Sequence, residues 1–113
     1  MPRNMSFSLT TEQVRNKTKT VTRRDGWWFL KPGDIVNACE KCMGLKKGQR
    51  VKRICQIRIK STSAQPLHLI NEEDVTLEGF PYWGAAQFVR FFVKTHPGVS
   101  LYKLLNRIEF EYI

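Results

Sequence analysis

Apolar and polar residues alternate with a period of two along much of the chain, a spacing that is typical of β-strands. Turn-forming residues separate the alternating stretches, among them Asp25-Gly26 and Lys31-Pro32-Gly33-Asp34. The pattern predicts five strands, at residues 5–9, 18–22, 35–39, 51–60 and 107–113.

The fourth of these stretches, residues 51–60, alternates most regularly. Its residues divide into an apolar face of Val51, Cys55, Ile57 and Ile59 and a polar face of Lys52, Gln56, Arg58 and Lys60. One face is therefore predicted to join the core, and the basic face to meet solvent or a ligand. In the last stretch, Ile108, Phe110 and Tyr112 are predicted to point inward.

Three segments have the pattern of helices. Thr10-Thr11-Glu12-Gln13 resembles a capping box that opens a short helix ending near residue 16. Asn71 is a good N-cap, and Gly79 is placed to end that helix, which puts Glu78 in the last turn. Residues 84–95 repeat apolar side chains at helical spacing, so Phe88 and Phe92 are predicted to lie in the core.

This order of elements favours the α+β class, with a mostly antiparallel, strongly curved sheet and short flanking helices. The chain has 113 residues, no internal repeat and no linker-like stretch. A single domain over residues 1–113 is therefore expected.

Charge is distributed unevenly along the chain. Lys and Arg total 19 against 10 acids, a formal charge of +9 and a sequence pI of about 9.8. Residues 1–60 contain 15 of the basic residues and 4 acids, whereas residues 61–113 contain 4 basic residues and 6 acids. A basic half of this kind is either a solvated surface or a binding face for a polyanion such as RNA.

Neither a signal peptide nor a membrane-spanning segment is recognisable in the sequence, so a cytoplasmic location without membrane association is expected. The three cysteines, an odd number, fit reduced thiols better than a disulfide framework. Cys39 and Cys42 have a zinc-like spacing but no second close pair to complete a site. No metal and no cofactor are predicted.

Cations and hydroxyls alternate from Lys17 to Arg24, a stretch predicted to be extended. In a straight strand, Lys19 and Thr22 would lie on opposite sides unless a bulge or turn intervened. This stretch is either a solvated edge strand or part of a binding site.

Four blocks of this sequence together resemble the ASCH domain family, part of the PUA-like superfamily. They are Lys19-x-x-Thr22-x-Arg24, Lys31-Pro32-Gly33-Asp34, Glu78-Gly79-Phe80 and Ile108-Glu109-Phe110-Glu111-Tyr112. Lys17 stands where the family pattern has a glycine. The resemblance implies a PUA-like β-barrel with a cleft. A bacterial branch of the family hydrolyses acetylcytidine with a lysine, a threonine and a glutamate. These would correspond to Lys19 as the base, Thr22 as the nucleophile and Glu78 as the acid that protonates the departing amine.

The sequence leaves several functional hypotheses open. The first is a module that binds RNA or a modified nucleoside in a cleft around the Lys-x-x-Thr-x-Arg motif, and the second is an amidohydrolase acting on N4-acetylcytidine or a related acylated nucleoside. A ribonuclease is a remote third hypothesis, because neither His68 nor His96 lies in a matching block. In the first hypothesis the binding residues are Lys17, Arg23, Arg24, Trp27, Lys46, Lys47 and Tyr82.

The four residues Trp27, Trp28, Tyr82 and Trp83 flank the matching blocks, and any of them that is exposed could stack on a base. Trp28 is expected to point inward, with Trp27 or Tyr82 near the cleft. Without the family resemblance, Glu78 would be interpreted as a surface acid or as the partner of Arg24 in a salt bridge.

Overall fold

The computed structural model describes residues 2–42 and 44–113. Its strands are β1 (Arg3–Ser6), β2 (Val21–Arg24), β3 (Ile35–Cys39), β4 (Arg53–Pro66) and β5 (Leu104–Tyr112). Its α-helices are α1 (Thr11–Arg15), α2 (Glu72–Leu77) and α3 (Ala85–Thr95), and a 3-10 turn covers Leu67–Leu69.

The strands form one sheet in the order β1-β3-β4-β5-β2. β1 runs parallel to β3, and the other three pairings are antiparallel. The sheet is therefore mostly antiparallel with short flanking helices, which confirms the α+β class expected from the sequence.

β4 is the longest strand, and it is longer than its hydrophobic pattern predicts. It begins at Arg53, so Val51 lies outside it and is exposed, contrary to expectation. It continues beyond residue 60 to Pro66, with a register shift between Ile59 and Ser61. Residues 61–66 alternate too little for a sequence-based assignment, and pairing with β5 keeps them extended.

The core has two parts. One apolar cluster lies against the sheet and is formed by Met5, Phe7, Val14, Leu30, Val36, Ala38, Ile57, Ile59, Ile108 and Phe110. The other joins α2 and α3 to the far end of the sheet and is formed by Leu67, Ile70, Val75, Phe88, Phe92, Val99 and Leu105. Ile57 and Ile59 belong to the first cluster and Phe88 and Phe92 to the second, as their spacing predicts.

The helix starts agree only partly with the sequence. Asn71 Oδ1 accepts a hydrogen bond from Asp74 N at 2.8 Å, which confirms the predicted cap of α2. The side chain of Thr10 makes no cap bond, so the predicted capping box does not form. Instead, Thr11 Oγ1 donates to the carbonyl of Phe7 at 2.8 Å.

The longest of the described helices, α3, has 11 residues. No helix in the described part of the chain is both long and apolar enough to cross a bilayer.

Candidate functional site

The segment between α1 and β2 brings the Lys-x-x-Thr-x-Arg motif against the end of α2. The chain turns at Lys17, whose φ is +63°, and the amides of Thr18 and Lys19 both donate to the carbonyl of Gln13. Thr20 N then donates to Leu77 O at 2.9 Å. Because these bonds connect the segment to both helices, Lys19 lies beside Glu78, and the regular strand starts only at Val21.

Lys19 and Glu78 form a buried pair. Lys19 Nζ lies 2.8 Å from Glu78 Oε1 and 2.9 Å from the Glu78 carbonyl oxygen, and the two residues are 3% and 2% exposed. Burial lowers the pKa of Lys19, and the facing carboxylate of Glu78 opposes that effect only in part. The two residues belong to separate blocks of the family resemblance, and the fold brings their side chains into direct contact.

Gly79 makes this contact possible. Its φ is +107°, and a Cβ at this position would lie 2.7 Å from Gln13 Cγ and 3.5 Å from Lys19 Cβ. A glycine therefore permits both the turn after α2 and the close approach of α1.

Arg23 is the second cation on Glu78. Arg23 Nη1 donates to Glu78 Oε2 at 3.0 Å, and Nη2 donates to Asp74 and to Gln65 Oε1. Arg23 is 3% exposed, lines the cleft, and orders Glu78. Within the described residues, the arginine that forms a salt bridge with Glu78, beside Lys19, is thus Arg23 and not Arg24.

The chain of ion pairs continues to the surface through Asp74. Arg107 donates to both carboxylate oxygens of Asp74, at 2.7 and 3.0 Å. Hydrogen bonds from Arg107, and secondarily from Arg23, lower the pKa of Asp74 to about 2. We call Lys19, Glu78, Arg23, Asp74 and Arg107, in this order of contact, the ion-pair chain.

Thr22 and Arg24 lie beside the ion-pair chain but interact mainly with each other. Arg24 Nε donates to Thr22 Oγ1 at 3.1 Å, and the Arg24 guanidinium lies 4.7 Å from the centre of the Phe7 ring. Burial lowers the pKa of Arg24 to about 10, and the negative charge of Glu78 opposes that effect only in part. No carboxylate in the described part of the chain forms an ion pair with Arg24.

These side chains line a cleft with a cavity volume of about 150 Å³, located where the two apolar clusters meet. The lining combines polar groups with aromatic rings. The lining consists of Ser6, Phe7, Ser8, Leu9, Thr10, Lys19, Thr22, Arg23, Arg24, Glu78, Phe80, Phe88, Phe91, Phe92 and His96. Lys19 and Thr22 therefore share the cleft, although a straight strand would have separated them.

His96 is a lining residue that the sequence analysis did not place in the site. Its ring stacks on Phe92 at 3.8 Å between centres, and its Nδ1 lies 3.0 Å from the Phe92 carbonyl. Burial is the main cause that lowers the pKa of His96. The sequence contained a signal of this placement, because His96 follows Phe92 by four residues and therefore lies on the same side of α3 as Phe88.

The aromatic residues flanking the motifs are placed differently from expectation. Trp28 is 52% exposed, so the prediction that it points inward is wrong. Trp27 packs against the first cluster and borders a separate shallow hollow with Arg3 and Phe29. Tyr82 is 95% exposed and outside the cleft lining.

The remaining predicted binding residues, Lys17, Lys46 and Lys47, are exposed and do not line the cleft. Lys46 and Lys47 lie in the long β3–β4 loop, residues 40–52. Within the described residues, no group of three His, Cys, Asp or Glu side chains has an arrangement that fits a metal ion.

The fold is that of a small α+β domain, and two solved structures share it. Hypothetical protein PH0355 matches over 100% of both chains, with a TM-score of 0.70 and 16% sequence identity. Protein EF3133 from Enterococcus faecalis V583, described as DUF984, matches 100% of this chain and 80% of its own, with a TM-score of 0.71 and 20% identity. No protein-family profile and no curated protein matches the sequence. At these identities the likeness establishes the fold alone.

Proposed function

We propose that this protein is a PUA-like domain of the ASCH type that binds a base of RNA, or a modified nucleoside, in the cleft. One observation carries the proposal: Lys19, Thr22 and Glu78, from two motifs more than 50 residues apart, line one cavity together with several aromatic rings. The cavity has room for roughly ten water-sized spheres, which suits a ligand of the size of a nucleobase.

The polar and the aromatic residues of the lining would recognise different parts of a base. Phe80 and Phe91 line the cleft and would stack on the base, an interaction worth about 1–3 kcal/mol per base. Phe80 would do so with the ring face that Trp83 does not cover. The Thr22 hydroxyl accepts from Arg24, which leaves its own proton for an acceptor on the base edge. The polar side chains of the lining would thus select the base, and the aromatic rings would supply affinity.

An RNA backbone would follow the β3–β4 loop. Cys39, the last residue before the loop, accepts a hydrogen bond from Phe7 N at 2.8 Å, and Phe7 lines the cleft. The loop therefore begins at the edge of the cleft. It carries five exposed cations, Lys41, Lys46, Lys47, Arg50 and Lys52.

Binding of a fluorescein-labelled single-stranded RNA, followed by anisotropy, tests the backbone contacts. With about five phosphate contacts, raising salt from about 50 to about 200 mM should weaken binding about a hundredfold. Replacing Lys46 and Lys47 together by Gln should reduce both the affinity and the slope of this salt dependence. The control replaces Arg90 and Lys94, exposed on α3, by Gln and removes the same charge. Equal losses in both variants, or salt-insensitive binding, would contradict the proposal.

Calorimetry with cytidine, N4-acetylcytidine and the other ribonucleosides tests the cleft. Thr22→Val keeps the shape of the side chain and removes the hydroxyl, so we expect a roughly three- to tenfold loss of affinity. Thr76→Val, at an exposed position of α2, is the matched control. Unchanged nucleoside affinity in Thr22→Val would argue against base recognition at this position.

A second candidate function, amide hydrolysis of an acylated nucleoside, is favoured by the buried Lys19 with its lowered pKa. A neutral amine has two N–H groups for the two Glu78 acceptors and a lone pair for the Thr22 proton. The Thr22 oxygen would attack the acetyl carbonyl, and the C–N bond would break as Lys19 passes the proton to the departing amine. Water, deprotonated by Lys19, would then release acetate and restore Thr22.

In this scheme Glu78 orients Lys19. Its two carboxylate oxygens accept hydrogen bonds from Lys19 and Arg23, which suits an ionised carboxylate better than the acid role inferred with the family resemblance. Chromatographic detection of cytidine from N4-acetylcytidine tests the candidate, with Thr22→Ala as the inactive variant. Absence of cytidine at high protein concentration would exclude this reaction and leave the cleft as a binding site.

A further inference from the structure

Arg24 lines the cleft, and its guanidinium forms no ion pair with any residue that the structure describes. Its Nε is used by Thr22, and one face of the group lies against the Phe7 ring. Within the described residues, neither Nη1 nor Nη2 has an acceptor, and burial holds the pKa of the group below its ordinary value. Arg24 is half-buried, so its Nη1 and Nη2 groups remain available to a ligand in the cleft, and a guanidinium with two available donors favours an anion.

The cleft as a whole has an excess of positive charge. Among the described residues that line it, Lys19, Arg23 and Arg24 are cations and Glu78 is the one carboxylate. Lys19 and Arg23 both donate to Glu78, which leaves Arg24 uncompensated. The buried Nε of Arg23 also has no acceptor in the described part of the chain. The site therefore has more donors than its own acceptors satisfy.

We propose that the ligand of the cleft carries a phosphate, which Arg24 binds through its two free Nη groups. The inference rests on the proposed function and narrows it from any nucleoside to a nucleotide, either free or within RNA. A planar guanidinium with two adjacent donors matches the oxygens of a phosphate, and contact with the Phe7 ring, 4.7 Å from the Arg24 guanidinium carbon, restricts where the group lies. The phosphate occupies the Arg24 end of the cleft, and the base lies against Phe80 and Phe91.

Calorimetric titration compares each ribonucleoside with its 3′- and 5′-monophosphates and with inorganic phosphate alone. The native protein should bind the preferred monophosphate roughly ten- to a hundredfold more tightly than the nucleoside, as expected for a charged hydrogen-bonded pair. Arg24→Gln should remove this preference for the monophosphate. Arg24→Lys keeps the charge but not the paired donors, so it should retain part of the preference. Arg90→Gln removes the same charge from the exposed face of α3 and should preserve the preference.

The ratio of the two affinities separates a local effect from a folding defect, because a partly unfolded variant loses nucleoside and nucleotide binding alike. Equal affinity of the native protein for nucleoside and monophosphate would overturn the phosphate site while preserving base binding. Inorganic phosphate that binds through Arg24, without any gain from an attached nucleoside, would preserve the anion site and overturn the proposed function.

A short RNA distinguishes the two sources of the phosphate. If the natural ligand is RNA, a dinucleotide should bind more tightly than the preferred monophosphate, and Arg24→Gln should weaken it by the same factor. If the natural ligand is a free nucleotide, the dinucleotide should bind more weakly. A dinucleotide whose affinity does not change in Arg24→Gln would contradict the phosphate contact.

Discussion

Replacement of Arg23 by methionine tests whether the buried ion-pair chain holds the cleft together. Methionine is similar in length and lacks the charge, so it leaves Glu78 and Asp74 each with one remaining cation, Lys19 and Arg107. Removing one partner from a buried pair costs about 3–5 kcal/mol. Because both acids retain a partner, we expect the free energy of unfolding to fall by an amount near the lower end of this range, about 3 kcal/mol.

For a chain of 113 residues, unfolding entropy of about 2.1 cal/mol/K per residue converts this loss into a fall in Tm of about 12 °C. Urea denaturation followed by circular dichroism measures the free energy of unfolding, and a thermal scan measures Tm. The slope with urea should not change, since the substitution leaves the surface exposed on unfolding nearly constant.

Arg58→Met is the matched control, because Arg58 forms an exposed ion pair with Glu111 at 3.3 Å in which both side chains are nearly half exposed. In Arg58→Met the free energy of unfolding should fall by less than about 1 kcal/mol. A loss below about 1 kcal/mol in Arg23→Met, or equal losses in the two variants, would refute the idea that burial of the ion-pair chain matters for stability.

Three further predictions concern single positions. Gly79→Ala should destabilise the protein by about 1–3 kcal/mol in urea, because its φ of +107° and the 2.7 Å approach to Gln13 both oppose a Cβ; no loss would show that the turn relaxes. Asn71→Ala removes the cap of α2 and should cost about 1 kcal/mol, whereas Asn71→Asp should retain most of it. The pKa of Asp74 is about 2 in the folded protein, below its ordinary value of 3.8. Ionised Asp74 therefore stabilises the folded protein by about 2 kcal/mol above pH 3.8, and this contribution is lost as the pH falls toward 2. Asp74→Asn should be less stable at neutral pH and should lack this component of the acid-dependent loss.

Local patterns in the sequence predicted many of the elements correctly. The strand Ile35–Cys39 has the predicted bounds, and α3 begins one residue after the predicted start. The cap at Asn71 was also correct. These features depend on periodicity or on bonds between residues three or four positions apart, which a single sequence displays directly.

Features that depend on tertiary pairing were predicted less well. β4 continues through polar residues because β5 pairs with them, and Thr10 makes no cap bond although its residue type suits one. The inward placement of Trp28 was wrong, since neither its size nor its neighbours in the sequence indicate which side of a turn it occupies.

By itself, the sequence determined the chemical groups available to the site: the cations and hydroxyls between residues 17 and 24, the acid at residue 78 and the uneven charge of the two halves. Tertiary structure alone decided their pairing. Arg23, and not its neighbour Arg24, binds Glu78, and His96 joins the same cleft from the end of α3. The physical reason is that these partners are 55 residues or more from Glu78 or from the motif, so their contacts depend on how α2, α3 and the edge strand β2 pack together. Periodicity within one element contains no information about that packing.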